Sequence, residues 1–339
     1  MWRLFFMKKK TIIFTPSGGR LGNQLISYVH LLSFWQEHKD QFNIINISFW
    51  PYSHLLQSEK AKRYCFHSTS KSGHVLFWIL FKIYLLAPIF LKHKYISFLT
   101  VFLHGFGRFF PGFQSIFARK DSIQTHLQPF CLGKKYDFFD LNLAENKKTL
   151  LAKHSVITGF QVKSWELVLK HKKQTLSLLA FNRLFQNNAS QFMNSVRSKH
   201  KIVVGVHIRQ GDWRTHPKSI TDTGRIAFDA KTYARYMQQL ITLLGPDVGF
   251  ILTSDEVQDM TLFNDFNVYL CTGSMGQSGH FVESILELSQ CDYLLMPDTT
   301  FAGWSSFMND VDMFVVRSEN DTLYIDNLST IKQISGFIN

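Results

Sequence analysis

The stretch VVGVHIRQGDW, residues 203–213, joins an apolar strand pattern to a turn that carries two charges. Side chains of a strand alternate between its faces. Val206 and Ile208 therefore fall on one side, and His207 and Arg209 on the other. Both polar residues stand at the carboxyl end of a strand read as Ile202–Ile208, the edge of an open α/β sheet where ligands bind. An arginine there can grip a pyrophosphate through two parallel charged hydrogen bonds. His207 can donate to the same group or orient the arginine. Gly211-Asp212 forms a turn, and Asp212 can brace Arg209 or cap the next element. The same residues also suit a purely structural Arg–Asp ion pair, and spacing alone leaves both readings open.

Downstream, an alternation of elements follows. A helix is expected near Tyr233–Leu244, a strand at Gly249–Thr253 leading into Ser254-Asp255-Glu256, and a Gly/Ser loop at Gly273–Gly279. Then come a helix at Val282–Ser289, a strand at Tyr293–Met296, a helix at Thr299–Phe307 and a last strand at Met313–Arg317. This predicts a parallel sheet with helices on both faces. Three strand ends present polar groups: His207/Arg209, Ser254/Asp255 and Thr299/Thr300. The hydroxyls of Thr299 and Thr300, with the N–H groups of a helix start, suit an anion. Phe301 and Trp304 can stack on a base or a sugar, or simply fill the core behind a threonine N-cap. Asp310-Val311-Asp312 has the spacing of a metal-binding acidic pair, but it directly precedes a strand and reads as a turn.

Upstream, Arg197-Ser198-Lys199-His200-Lys201 reads as a basic linker, which sets two domains at 1–198 and 199–339. The first opens with a strand at Thr11–Thr15, the stretch SGGRLGNQ (17–24), and a helix with Leu21, Leu25, Tyr28, Val29 and Leu32 at helical spacing. Gly22 lets a ligand approach the backbone, and Asn23 can reach a ligand or cap the helix. The glycine spacing is that of neither a dinucleotide fingerprint nor a Walker loop. Residues 105–160 carry no clear motif. Residues 73–103 are strongly apolar; from Val75 to Leu91 they hold one charge, Lys82, and one proline, Pro88. That run is short for a bilayer span. It suits a core helix or a helix lying on a membrane surface.

Composition narrows the classes. The chain has 339 residues, 45% hydrophobic and 18% charged, which is globular. Its net charge of +12 favours an anionic partner such as a nucleotide or an acidic membrane face. Zinc-finger spacing is lacking, and Lys8-Lys9-Lys10 is the one dense basic run, so nucleic acid is not expected. Four scattered cysteines and an N-terminus without a signal-peptide pattern point to a cytoplasmic setting.

GRLGNQ (19–24), VGVHIRQGD (204–212) and QCDYLLMPDTTFAGWSSFM (290–308) resemble the α-1,2-fucosyltransferases, glycosyltransferase family 11, in the same order and at plausible spacing. The resemblance covers the first 35 residues and most of 200–310. It implies an α/β GT-B fold of two Rossmann-like domains facing a cleft, with GDP-fucose held by the C-terminal one. It further implies inverting transfer of fucose to a galactoside hydroxyl, α-1,2 linkage, and no metal or other cofactor. Arg209 takes the essential pyrophosphate-binding role and His207 supports it. Asn23 reaches in from the N-terminal domain, and Thr299, Thr300 and Phe301 match positions near the phosphates and guanosine. The implied acceptor is a galactose-containing oligosaccharide. The N-terminus without a secretory anchor suggests a bacterial cytoplasm, where that acceptor would be lipid-linked at the inner membrane face, and the basic charge and segment 73–103 fit peripheral contact there. Three positions depart from the family pattern: Gln210 replaces a second arginine, Ser284 a guanine-binding acid (with Glu283 beside it), and Ala302-Gly303 part of an aromatic segment. The first two bear on donor identity. A different GDP-sugar, or a non-catalytic sugar-nucleotide or glycan-binding protein, remain the alternative readings.

Overall fold

The computed structural model describes residues 9–15, 19–57, 66–67, 75–109, 113–118, 134–136, 139–159, 162–215, 226–324 and 326. The chain divides into two compact units, Met1–Ala180 and Phe181–Asn339.

In the first unit, β1 (Lys10–Thr15) runs into α1 (Leu21–His38), and β2 (Phe42–Asn46) and β3 (Phe66–His67) follow. Two helices come next, α2 (Val75–Leu86) and α3 (Ile89–Phe109), separated at Ala87-Pro88. Proline has no N–H to give and disfavours helix in the residue before it, so one apolar run becomes two helices. Then come β4 (Phe113–Ala118), β5 (Lys134–Tyr136), β6 (Phe139–Asp140), α4 (Ala144–Ala152), β7 (His154–Thr158) and β8 (Val162–Lys163). The short helices α5 (Trp165–Lys170) and α6 (Lys172–Leu178) close the unit. Its six-stranded sheet has the order β3-β2-β1-β7-β4-β5, parallel except for β3. β6 and β8 form a separate parallel pair. Residues 105–160, which carry no motif, thus supply three strands of the main sheet.

The second unit begins with α7 (Arg183–Arg197), capped by the Asn182 side chain on Leu184 N. The unit boundary therefore lies ahead of this helix and not at the basic stretch after it. Ala189, Met193 and Val196 form its buried stripe, which packs against α10 (Phe281–Leu288) and the sheet. Then follow β9 (Ile202–Ile208), α8 (Gly211–Thr215), α9 (Ala230–Leu244), β10 (Val248–Ser254) and β11 (Asn267–Leu270). After α10 come β12 (Tyr293–Pro297), α11 (Thr300–Asn309) and β13 (Asp312–Val316).

All five strands are parallel, in the order β11-β10-β9-β12-β13. This is the doubly wound arrangement. The chain steps outward from β9 to β11 on one side, then returns to build β12 and β13 on the other. Val204, Val206 and Ile208 of β9 pack with Tyr233, Tyr236, Met237 and Leu240 of α9 in one buried cluster. Each such side chain contributes roughly 1.5–3 kcal/mol by leaving water. Gly205 and His207 take the opposite face; Gly205 sits against Leu288, Cys291 and Leu294. Alternation along a single strand thus divides core from site. Asp310 is the left-handed C-cap of α11 at φ 56°, and Asp312 starts β13 at the edge opposite the strand ends, so this acidic pair is a turn.

Candidate active site

The switch point lies between the carboxyl ends of β9 and β12, the two strands from which the winding turns in opposite directions. Ligands of doubly wound sheets bind in the crevice outside that point. His207 and Thr299 meet there: His207 Nδ1 lies 3.1 Å from Thr299 Oγ1. Thr299 is the N-cap of α11 and accepts a hydrogen bond from Ala302 N at 3.4 Å. Phe301 leans its ring on the His207 imidazole, with centroids 5.0 Å apart and 36° between planes. His207 is buried, and its pKa falls from 6.5 to about 3, first through loss of water and then through the nearby Arg209 charge. The imidazole is therefore neutral. It offers a hydrogen bond, not a charge.

Arg209 follows directly on β9. Its guanidinium is held from two sides: Nη2 by Asp212 Oδ1, and Nη1 by Asp255 Oδ2 at 2.5 Å. Asp212 lies in α8, one turn ahead on the same loop. Asp255 comes from the end of β10, the neighbouring strand. The other oxygen of Asp255 accepts from Gln210 N at 2.9 Å, so one carboxylate fixes both the side chain and the loop backbone. The arginine side chain remains 14% exposed, so the clamp does not seal it from solvent. The Arg–Asp ion pair expected as a purely structural alternative is present, but it belongs to a three-member clamp at the ligand edge of the sheet.

Ser254 serves this loop more than the crevice. Its hydroxyl accepts from Glu256 N at 3.1 Å and from Gln258 Nε2 at 3.0 Å, and its own N–H donates to Ser274 Oγ at 3.1 Å. Gln210 is 2% exposed and donates to the Phe228 carbonyl at 2.8 Å, while its oxygen accepts from Gln258 at 3.0 Å. It points into the scaffold and away from the strand-end edge. Ser284 is wholly buried in α10. Glu283 forms a capping box with His280, and accepts from Thr272 Oγ1 at 2.9 Å and Asn188 Nδ2 at 2.7 Å. Neither departure from the family pattern thus places a new group at this edge. Gln258 is a contributor that sequence reasoning missed. It reaches Gln210 across 48 positions, and nothing in its local pattern signals the contact.

Eight of the expected residues, His207, Arg209, Asp212, Ser254, Asp255, Thr299, Thr300 and Phe301, are brought to one edge of the second unit's sheet. Gly22 and Asn23 belong to the first unit, in the opening turn of α1 behind β1. There Gly19 adopts φ +82°, and a Cβ on it would overlap the Asn23 side chain, so the turn requires glycine.

Chemically, the edge offers a fixed guanidinium, a neutral imidazole and the N-terminus of a ten-residue helix. Groups of these three kinds are ones that can hold an anion such as a diphosphate. Fold and site define a doubly wound α/β protein of the GT-B class with such an edge in its second unit. The model of the family described as glycosyl transferase family 11 matches residues 152–333, more than half of the sequence, and the chain belongs to that family. Comparison with curated proteins gives no match. Among solved structures, the chain is similar to a mutant of FUT1 from Arabidopsis thaliana in complex with GDP. That likeness has 10% identity and a TM-score of 0.52, over 94% of this chain and 73% of that one. It is also similar to the alpha-1,6-fucosyltransferase NodZ soaked with GDP-fucose (11% identity, TM-score 0.46, 94% and 97% covered). A third similar structure is POFUT1 in complex with GDP-fucose (12% identity, TM-score 0.45, 89% and 95% covered).

Proposed function

We propose that this glycosyltransferase moves L-fucose from GDP-fucose to a galactoside hydroxyl, with inversion and formation of an α-1,2 linkage. The observation that carries the proposal is the clamp on Arg209 at the end of β9, the strand whose His207 meets the α11 N-cap Thr299. Both groups are held in advance where a nucleotide diphosphate would be held. In the reaction, the acceptor oxygen forms a bond to the anomeric carbon as the bond from that carbon to the β-phosphate oxygen breaks. GDP leaves with the electron pair, and the hydroxyl proton passes to a general base. Negative charge grows on the β-phosphate. A preorganised guanidinium and a helix N-terminus stabilise that charge in the transition state more than in the ground state. Directed hydrogen bonds from Arg209 and the α11 N-terminus take the stabilising role that a divalent cation takes in other transferases, so we propose turnover without metal. His207, neutral and backed by Thr299 and Phe301, contributes a hydrogen bond to the phosphate or to Arg209. Roles for Gly22 and Asn23 in donor binding rest on the resemblance alone. A galactose-containing oligosaccharide, lipid-linked, is the acceptor class proposed.

GDP release from GDP-fucose with a β-galactoside acceptor such as lactose, in EDTA, tests this. Acceptor-dependent release is expected in wild type. In Arg209→Ala it should fall by on the order of a hundredfold or more, the loss typical of removing one such charge-stabilising contact. Absence of both turnover and measurable GDP-fucose binding in wild type would overturn the donor assignment.

A further inference from the structure

The helical hairpin α2–α3 has two faces. Phe81, Tyr84, Ile96, Leu99 and Leu103 are buried, with Phe81 and Tyr84 packed on Trp50 at ring separations of 5.2 and 5.5 Å. The Tyr95 hydroxyl donates to the Leu80 carbonyl at 3.1 Å and ties the two helices together. The opposite face is apolar as well. On α2, Ile79, Lys82, Ile83 and Leu86 follow helical spacing and are all exposed, Leu86 at 84%. On α3, Leu91, Lys94, Phe98 and Phe102 do the same, Phe98 at 68%, with the two phenylalanine rings stacked 6.4 Å apart. Large aliphatic and aromatic side chains grouped on one outer face mark a surface that is meant to be covered.

Charge says what covers it. Residues 60–120 contain ten Lys and Arg and no Asp or Glu. The rest of the chain is nearly neutral, with 27 basic and 25 acidic residues. Almost the entire excess of +12 therefore falls, in sequence, within this hairpin and the segments that flank it. A two-fold contact with a second copy would set one such basic segment against another, which is unfavourable. An anionic bilayer surface satisfies both properties at once. Its acyl boundary takes the apolar side chains, and its headgroups take the exposed Lys82 and Lys94, whose long stems let the ammonium reach outward. Among the described residues no helix is long and apolar enough to cross a membrane, so the hairpin would lie in the interface.

We propose that the outer face of α2–α3 docks the protein on anionic membranes. The test is co-sedimentation of the full chain with vesicles of phosphatidylcholine, with and without about one third phosphatidylglycerol, a lipid fraction chosen to give a strongly negative surface. Wild type should bind the anionic vesicles about tenfold or more better than the neutral ones, and binding should weaken in high salt. The double variant Leu86→Glu/Phe98→Glu should lose that binding by about tenfold or more while keeping its thermal midpoint, because both side chains are already in water. Leu184→Glu, an exposed leucine on α7, should bind like wild type. Equal binding by wild type and the double variant, or binding indifferent to anionic lipid, would overturn the proposal. So would a wild-type dimer in solution that the double variant renders monomeric, since the face would then belong to a second copy.

Discussion

Arg209 lies between two carboxylates, which is costly for a residue proposed to hold a diphosphate. Asp212 and Asp255 lower the positive potential at the edge, yet they remove the rotamer freedom of a long side chain before ligand arrives. Asp255→Asn separates the two effects. Asparagine still offers an oxygen to Gln210 N but gives Arg209 no ion pair. The expected outcome is a fall in kcat of about tenfold, some 1.4 kcal/mol of transition-state stabilisation. The KM for donor should stay level or fall, because a negative charge has left the proposed phosphate site. Steady-state kinetics with varied donor separates the two terms; a rise in KM with kcat intact would show that Asp255 serves binding and not positioning. His207 and Arg209 were legible in the sequence because alternation and strand-end position are local. Gln258, and the inward turn of Gln210, were not: each is defined by a partner far along the chain.

At the scale of elements, the loop between β11 and α10 is the clearest case of backbone fitted to backbone. Gly279 N donates to the Thr272 carbonyl at 2.9 Å and closes the loop, while Thr272 is held in turn by Glu283 and Glu287. Glu287 is buried, and its carboxyl is raised above the usual range mainly by loss of water. A Cβ on Gly273 would overlap the backbone carbonyl of His280, the N-cap of α10. Side chains can step aside; a carbonyl fixed at a helix start cannot. Gly273→Ala should therefore cost about 1–3 kcal/mol, as overpacking does. It should also open the loop to proteolysis, readable by thermal denaturation and limited digestion; an unchanged midpoint would refute the tight fit. The strands and helices of the second unit follow the sequence reading closely because each carries an unbroken apolar period. β4 to β8 escaped it because they are short and lack a long periodic run.

Across the whole molecule, burial sets a pH limit. His30, His104, His154 and His207 are all buried, and loss of water pulls their pKa values from 6.5 down to about 3 or 4. Two of them accept backbone N–H groups at Nδ1, His30 from Ser164 and His154 from Thr11, each at 3.0 Å, which requires an unprotonated nitrogen. Above pH 6.5 neither folded nor unfolded chain protonates them, and their burial carries no acid penalty. Below 6.5 the unfolded chain binds protons that the folded chain refuses, so stability falls until the folded pKa values are reached. His30, His104 and His154 lie in the first unit. Between pH 7.5 and 5.5 each should cost about 1.4 kcal/mol, roughly 4 kcal/mol together. Denaturant melts at the two pH values check this; equal stability at both would refute it. The second unit, with His207 alone among these four, should lose less.

The sequence by itself determined the parallel α/β character of the second unit and the strand-end placement of His207, Arg209 and Thr299. Each follows from periods and backbone preferences that span a few residues. Tertiary structure alone decided the rest. It placed α7 with the second unit, set Asp255 beside Arg209, turned Gln210 and Ser284 inward, and left the outer face of α2–α3 in water. These outcomes depend on which strands become neighbours and which faces find a partner, and neighbours far apart in sequence leave no mark on local pattern.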